Sequence, residues 1–260
     1  MKMPRLPRML ILFLSLIILT ILSLRLSDNY EKNEQCCALA PLQNVLASIT
    51  EAIGPREFHS QIGQDRWIVM NAFPGVRDGY FVDVGSGDGV RDSNTKSLEH
   101  IGWKGICIDP YATNMKGRQC ALFEEVVSSV SGQTVQFRKA GFLGGIDNKL
   151  GRWKDAERVR NSPVVTWTTT TLNEILTRAN APEFIHYMSI DIEGGELEAL
   201  KGLDFSKYRI GAITIEHNRE EPKRSEIKAM LESKGYHYAR SIAQDDCYTL
   251  AEPPVPNSRQ

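Results

Sequence analysis

Neither sign of charge is in excess. The 31 lysines and arginines stand against 32 acidic residues and leave a net charge of -1 over 260 residues, so no global field exists to hold a polyanion, and nucleic acid is not an expected partner. Tryptophan is sparse as well: Trp67, Trp103, Trp153 and Trp167 are scattered and form no stacking ladder for bases. Most are expected in the core, and Trp153 is placed to cover an acceptor sugar ring. The five cysteines (Cys36, Cys37, Cys107, Cys120, Cys247) are odd in number and lack C-x-x-C spacing, which argues against a zinc site and against a complete disulfide framework, and leaves the redox compartment open. No N-x-S/T sequon with a permitted middle residue occurs, so glycosylation gives no support for a lumenal address. What remains, 42% hydrophobic and 24% charged, excludes a disordered tail, a collagen-like fibre and a small disulfide scaffold, and predicts one principal domain.

One segment departs from this average. Met9 to Leu24 is uncharged, with only Ser15, Thr20 and Ser23 as polar interruptions. At about 1.5 Å per residue the run makes roughly 24 Å of helix, extendable through Arg25 and Leu26 by snorkelling. Lys2, Arg5 and Arg8 precede it, while Arg25 and Lys32 beyond it are offset by Asp28, Glu31 and Glu34. The positive-inside rule therefore predicts a signal anchor over 9–26 with residues 1–8 in the cytoplasm and the main domain on the other side of a bilayer. A cleaved signal peptide is the alternative, but LSLRLSDN offers no small-x-small cleavage site. Cys36 and Cys37 lie in the stalk beyond the span, as acylation or interchain pairing sites or as idle thiols.

Residues 27–55 read as a stalk, with one helix over Leu39 to Ile53. From 56 to 252 short β-rich runs alternate with helical patterns, and 253–260 form a flexible tail. Strands are expected at 80–85, 105–109, 124–129, 134–137, 185–191 and 210–217, with two more at YHYAR and CYTL. Helices are expected at SLEHIG, TLNEILTRA, ELEALKGL and SEIKAMLESKG, the last ended by Gly235. Near-continuous apolar strands with helical connections predict a mainly parallel, doubly wound α/β sandwich whose ligand lies at strand C-terminal ends. Lys139 to Pro163, long, glycine-rich and then charged, breaks the alternation and reads as a lid or a disordered insertion.

FVDVGSGDG (81–89) runs a buried strand straight into glycines at 85, 87 and 89. Gly85 takes the tight turn, Gly87 removes a side chain from the path of a cofactor, and Ser86 sits between them. A dinucleotide fingerprint would want glycine or alanine at 90, where this chain has Val90. Asp83 at the strand end would repel a pyrophosphate but suits a cationic ligand such as S-adenosylmethionine. Asp109, closing the next strand, is placed to accept both hydroxyls of a ribose. Each acid alone is readable as a helix cap.

The chain resembles the FkbM family of S-adenosylmethionine-dependent methyltransferases from about Ser60 to Leu250. The resemblance rests on SQIGQD (60–65), YFVDVGSGDGVRDSNT (80–95), GWKGICIDPY (102–111), TTTTLNEIL (168–176), MSIDIEGGELEALKGL (188–203) and ITIEHN (213–218). It implies a Rossmann-like class I methyltransferase sheet with an antiparallel last strand, S-adenosylmethionine as donor, and as acceptor a hydroxyl of a sugar, glycan or natural product. It also suggests that Gln64 and Asp65 line the cofactor site. Where the family often has a lysine before its Asp-x-Glu-Gly element, this chain has Ser189.

Methyl transfer from a sulfonium is an in-line displacement, so the site must align donor and acceptor and take a proton. Asp191 and Glu193 end a central strand, and Glu216, His217 and Asn218 end its neighbour. Asp191 with His217 is expected as base and orienter, and Glu193 as an acceptor-binding or metal-binding carboxylate. Asp191, Glu193 and Glu216 would suit a divalent cation. Against this stands a plain alternative in which Glu193 caps the helix that begins near Gly195 and Glu216 pairs with a lysine. Two other functions are open: a catalytically idle methyltransferase-like membrane protein used as a binding or trafficking module, and a dehydrogenase, which Val90 and Asp83 disfavour.

Overall fold

Runs of β-branched and aromatic residues become strands wherever glycine or a polar turn bounds them. In the computed structural model, which describes residues 55, 57–151 and 155–251, these are β1 (Tyr80–Val84), β2 (Lys104–Ile108), β3 (Ala121–Phe123), β4 (Val126–Val127), β5 (Thr134–Arg138), β6 (Gly145–Ile146), β7 (Val164–Thr170), β8 (Phe184–Ile190), β9 (Arg209–Glu216), β10 (Tyr236–Ile242) and β11 (Asp245–Leu250). The helices are α1 (Gln64–Trp67), continued by a π turn over Ile68–Ala72, then α2 (Lys96–Glu99), α3 (Glu157–Arg160), α4 (Leu172–Arg178), α5 (Glu196–Lys201) and α6 (Lys223–Ser233). Gly235, at φ +85°, follows α6 in the left-handed conformation that ends a helix cheaply.

Seven strands form the main sheet in the order β10-β11-β9-β8-β1-β2-β3. Neighbours run parallel except at β11, which is antiparallel to both β9 and β10. The mixed α/β sheet expected from the alternation is thus present. The chain leaves β1 towards β2 on one side and returns to β8 on the other, so the C-terminal ends of β1 and β8 make the switch point where such sheets open a crevice.

Alternation sends successive side chains to opposite faces. Val82, Val84, Ile106, Ile108, Met188, Ile190, Ile213 and Ile215 pack under α4, α5 and α6 in one apolar cluster. Phe81, Cys107, Tyr187, Ala212 and Cys247 face Trp67, Leu98 and Trp103 in another. Burial on both faces is why these strands read as nearly unbroken apolar runs.

Three expectations are corrected or refined. The runs at 124–129 and 134–137 do not extend the main sheet. With β6 and β7 they build a separate four-stranded sheet, order β4-β7-β5-β6. β7 itself was not foreseen, because its threonines resemble a polar lead-in to α4. They are strand formers: Thr166 and Thr168 face solvent, while Val165 and Trp167, alternating with them, pack on the small core of Val126, Phe137 and Ile146. Second, the 139–163 insertion is not an unstructured loop: Gly141–Leu143 make a 3₁₀ turn that lines the cleft, as the lid reading expects, and β6 and α3 follow. Residues 152–154, with Trp153, lie outside the described residues. Third, the cysteines, expected to make no complete disulfide framework, do make one bridge: Cys107 and Cys120 are joined across a separation of 13 residues, while Cys247 is free and buried.

The expected anchor over 9–26, the stalk helix, Cys36, Cys37 and the tail all lie outside the described residues. Among the described residues no helix is long and apolar enough to cross a membrane.

Candidate active site

The C-terminal ends of β1, β2, β8 and β9 open into a cleft of about 490 Å³, within the range of small-molecule sites. Gly85 lies under it with φ +89°, and a Cβ there would fall 1.7 Å from the Asp191 carbonyl oxygen, so only glycine lets β1 turn against the end of β8. The Gly85 and Ser86 amides donate to the Ile108 carbonyl at 2.8 and 3.2 Å. Gly87, at φ +58°, lies beneath the ring of Phe142, which would come within 2.7 Å of a Cβ. The 3₁₀ turn of the insertion therefore roofs the glycine loop, and Arg91 stacks on Phe142 at 4.2 Å.

Asp109 holds this loop from the β2 side. Its Oδ2 accepts from the Gly87 amide at 2.9 Å and its Oδ1 from the Tyr111 amide at 2.7 Å. Burial raises its pKa to about 6 despite those two donors. Asp83 is buried and accepts from Thr95 Oγ1 at 2.6 Å. Burial raises its pKa too, opposed by the Arg118 guanidinium and the Thr95 hydroxyl. Arg118 pins the β2–β3 loop to the glycine loop by donating to the Gly89 carbonyl at 2.6 Å and to Thr95 at 2.8 Å. It is itself paired with the buried Glu99 at 3.0 Å.

A second wall is acidic. One carboxylate oxygen each of Asp191, Glu193 and Glu216 lie within 4.8 Å of one another. Glu193 reaches the group from a left-handed backbone, φ +58°, a conformation that a non-glycine residue rarely adopts and that tends to occur where function fixes it. Glu216 is 5% exposed and accepts from Asn218 Nδ2 at 2.6 Å.

A model of the FkbM methyltransferase domain matches residues 83–238, from the acid of β1 into β10. The chain belongs to the FkbM methyltransferase family. No curated protein sequence matches it. Among solved structures it is similar to a proposed RNA methyltransferase from Pyrococcus horikoshii, at 9% identity over 80% of this chain and 100% of that one, with a TM-score of 0.38. So loose a likeness adds nothing to the strand order already described.

In this FkbM domain the structure gathers Gln64, Asp83, Gly85, Ser86, Gly87, Asp109, Asp191, Glu193 and Glu216 around one cleft. Gln64 does so while its Nε2 donates to Asp245 Oδ2 at 2.9 Å. Asp65 is elsewhere: its carboxylate accepts from the amides of His59 and Arg66, both at 2.7 Å, and from Ser97, and ties the SQIGQD turn together. His217 is also misplaced for the expected role of base. Alternation along β9 turns it away from Glu216, and it is not among the residues lining the cleft. Its Nδ1 accepts from the Arg219 amide at 2.8 Å, and its Nε2 lies 3.4 Å from Asp246, which Arg224 grips at 2.7 and 2.8 Å. Burial lowers its pKa.

The helix-cap alternative for Glu193 is answered by a neighbour. Glu196 accepts from the amides of Ile192 and Gly194 at 3.2 and 2.8 Å, and Lys223 pairs with Glu196 and Glu220 rather than with Glu216. The acids of the wall therefore repel one another. Burial, Asp191, Glu193, Glu196 and Asp245 together push the Glu216 pKa up to about 11. Asp191 is raised well above the usual carboxylate range by burial and by Asp245, Glu193 and Glu196, with a hydrogen bond to Glu216 opposing. Sequence reasoning missed Asn94, Tyr111, Lys139 and Phe142, which also line the cleft. Lys139 and Phe142 belong to an insertion whose path is set by β5–β7 pairing, so no local pattern marked them. Asn94 lay within a quoted motif but outside the glycine run.

Proposed function

We propose that this protein transfers a methyl group from S-adenosylmethionine to a hydroxyl oxygen of a sugar, a glycan or a natural product. The observation that carries the reading is the placement of Asp83 and Asp109 on either side of one glycine loop, in one cleft, opposite the acid pair Asp191 and Glu216. The residues fit such a donor. Asp109 has acceptor capacity left for ribose hydroxyls, since each of its oxygens takes a single recorded backbone donor. Asp83 supplies negative charge for a cationic ligand, and the buried Asn94 Oδ1 and Ser86 Oγ have no partner among the described residues.

When bound, the donor supplies an electrophilic methyl carbon on a positively charged sulfur. The chain's own residues then have two tasks. The glycine loop and Phe142 fix the donor and exclude water. The Asp191–Glu216 pair, crowded enough to share a proton, takes the proton of the acceptor hydroxyl onto a carboxylate oxygen. His217, buried against Asp246, is left out of this step.

Asp191, Glu193 and Glu216 also fit a divalent cation, since three carboxylates converge and Lys223 is spent on Glu196 and Glu220. Such an ion would lower the pKa of a bound acceptor hydroxyl. We place the domain on the non-cytoplasmic side of a bilayer, tethered through residues 9–26. The Cys107–Cys120 disulfide supports that side, because such bonds persist in oxidising compartments.

Calorimetric titration of S-adenosylmethionine into the full chain tests the donor, and labelled methyl transfer to a panel of glycans tests the reaction. Absence of binding overturns the proposal, and binding without transfer to any hydroxyl favours an idle binding module. Protease protection on sealed vesicles tests the topology: digestion of the domain from the cytoplasmic side reverses it.

A further inference from the structure

Asp83 is in register with Cys107 on one side and Ser189 on the other, and Ser189 is in register with Thr214. A row of small or polar side chains thus crosses one face of the sheet just below the cleft. Two consecutive residues close it from above. Thr95 Oγ1 donates to Asp83, and Asn94 Nδ2 donates to Ser189 Oγ at 2.8 Å. Ser189, where the family often carries a lysine, therefore serves as the anchor of an amide.

The anchored amide is left half-used. Asn94 is 7% exposed and lines the cleft, yet its Oδ1 is buried with no hydrogen-bond partner among the described residues. Ser86 Oγ, which lines the same cleft, is buried and has no partner among the described residues either. Native folds rarely leave such acceptors unsatisfied, so a pair of them in one cleft marks where a ligand's donors arrive. Topology says which part of the ligand this is. Asp109 follows β2 on one flank of β1, whereas Asn94 sits above β8 on the other flank, so the two lie at opposite ends of the bound molecule. A carbonyl oxygen accepts only, and the carboxylate beside it favours positive charge. An alkylammonium group, with three N–H donors, meets both demands.

We propose that Asn94, held by Ser189, is a donor-positioning residue that accepts a hydrogen bond from the α-ammonium of the amino-acid end of S-adenosylmethionine, next to Asp83. This rests on the reading of the cleft as a methyl-donor site. It gives the Ser-Asn-Thr segment after the glycine loop a chemical task and explains how the cleft works with serine at position 189.

The test uses two probes that share an adenosine: S-adenosylhomocysteine, which carries the amino acid, and 5′-methylthioadenosine, which lacks it. Both are titrated calorimetrically into the detergent-solubilised full chain. Asn94→Ala is expected to weaken S-adenosylhomocysteine by about tenfold to a hundredfold, the range for a hydrogen bond to a charged group, while 5′-methylthioadenosine binds as to the wild type. Asn94→Asp, which keeps the acceptor and adds charge, is expected to hold or tighten S-adenosylhomocysteine. Ser189→Ala, which frees the amide without removing it, is expected to give a smaller loss with the same selectivity. Unchanged S-adenosylhomocysteine affinity in Asn94→Ala, an equal loss of both probes, or weakening by Asn94→Asp each overturns the assignment and leaves the donor site standing. Failure of the wild type to bind either probe removes the donor reading itself, and the role of Asn94 with it.

Discussion

The Gly87 amide donates to Asp109 Oδ2 at 2.9 Å, so the acid that ends β2 holds in place the loop that follows β1. One carboxylate thereby shapes the loop and offers its remaining lone pairs to the ligand. Removing it with Asp109→Ala is expected to weaken S-adenosylmethionine by about tenfold or more, as for other charge-assisted hydrogen bonds. The pH dependence has a definite sign. The ionised carboxylate is the better acceptor, and burial has raised its pKa to about 6, so affinity should fall as pH drops from 7 through 6. Calorimetry from pH 5 to 8 on wild type and Asp109→Asn checks this: an affinity that falls equally in both places the titrating group elsewhere.

The crowded acids predict a second pH effect, on stability. Glu216 is raised from 4.5 to about 11, and Asp109 and Asp245 from 3.8 to about 6. Between the lower and upper values the folded chain binds more protons than the unfolded one, so unfolding free energy must decline as pH rises. The Asp109 and Asp245 share is lost by about pH 6, and the Glu216 share continues to fall beyond it. A divalent cation bound by these acids would reverse the trend, because ligation needs deprotonated carboxylates and releases protons. Melting curves from pH 5 to 9 with EDTA or with magnesium should diverge progressively as pH rises. Superimposable curves count against the cation site.

How much of this was legible in the sequence depends on how local each signal is. Asp83, the glycines and Asp109 sit at strand ends, where a buried run stops and the chain turns, and the sheet rule alone places them at the crevice. Asp191 and Glu216 were legible for the same reason. His217 was not, because one residue along a strand decides which side of the sheet a side chain faces, and β9 ends a residue earlier than expected. β7 was hidden by its threonines, and with it the origin of Phe142 above Gly87. The Cys107–Cys120 pair depends on β2 and the entry to β3 lying side by side, a non-local fact that no spacing encodes.

That disulfide encloses the loop carrying Asp109 and Tyr111, which line the cleft. Closing a loop of this length stabilises a fold by about 3 kcal/mol in the chain-entropy treatment. Cys107→Ser combined with Cys120→Ser should therefore lower the denaturation midpoint clearly and loosen donor binding, since the covalent tie is lost and only non-covalent ones, such as Arg118 to Gly89 and Asn114 to Asp88, still hold the loop. Thermal unfolding and calorimetry of the double variant, with and without reductant, check both. If reductant shifts the wild type and leaves the variant unmoved, the effect belongs to this bond. Thiol titration of the unfolded wild type shows whether the pair is oxidised in the isolated protein.

Substitutions at the acid pair and at the neighbouring histidine should have separable effects. Asp191→Asn and Glu216→Gln each leave a side chain of the same size but abolish proton sharing, so methyl transfer is expected to fall by about a hundredfold or more, the usual contribution of a general base. Donor affinity should hardly move, because Asp83 and Asp109, the acids that face the donor, come from β1 and the end of β2 rather than from the acidic wall. His217→Gln should do the reverse. It disturbs the contacts with the Arg219 amide and Asp246, so about 1–2 kcal/mol of stability should go, as when a buried hydrogen-bonding group is replaced. The pH profile of kcat should keep its shape, because burial already holds His217 below its ordinary pKa and it does not face the cleft. Loss of the acidic limb of that profile in His217→Gln would restore the histidine as the base and assign Asp191 and Glu216 to cation binding alone.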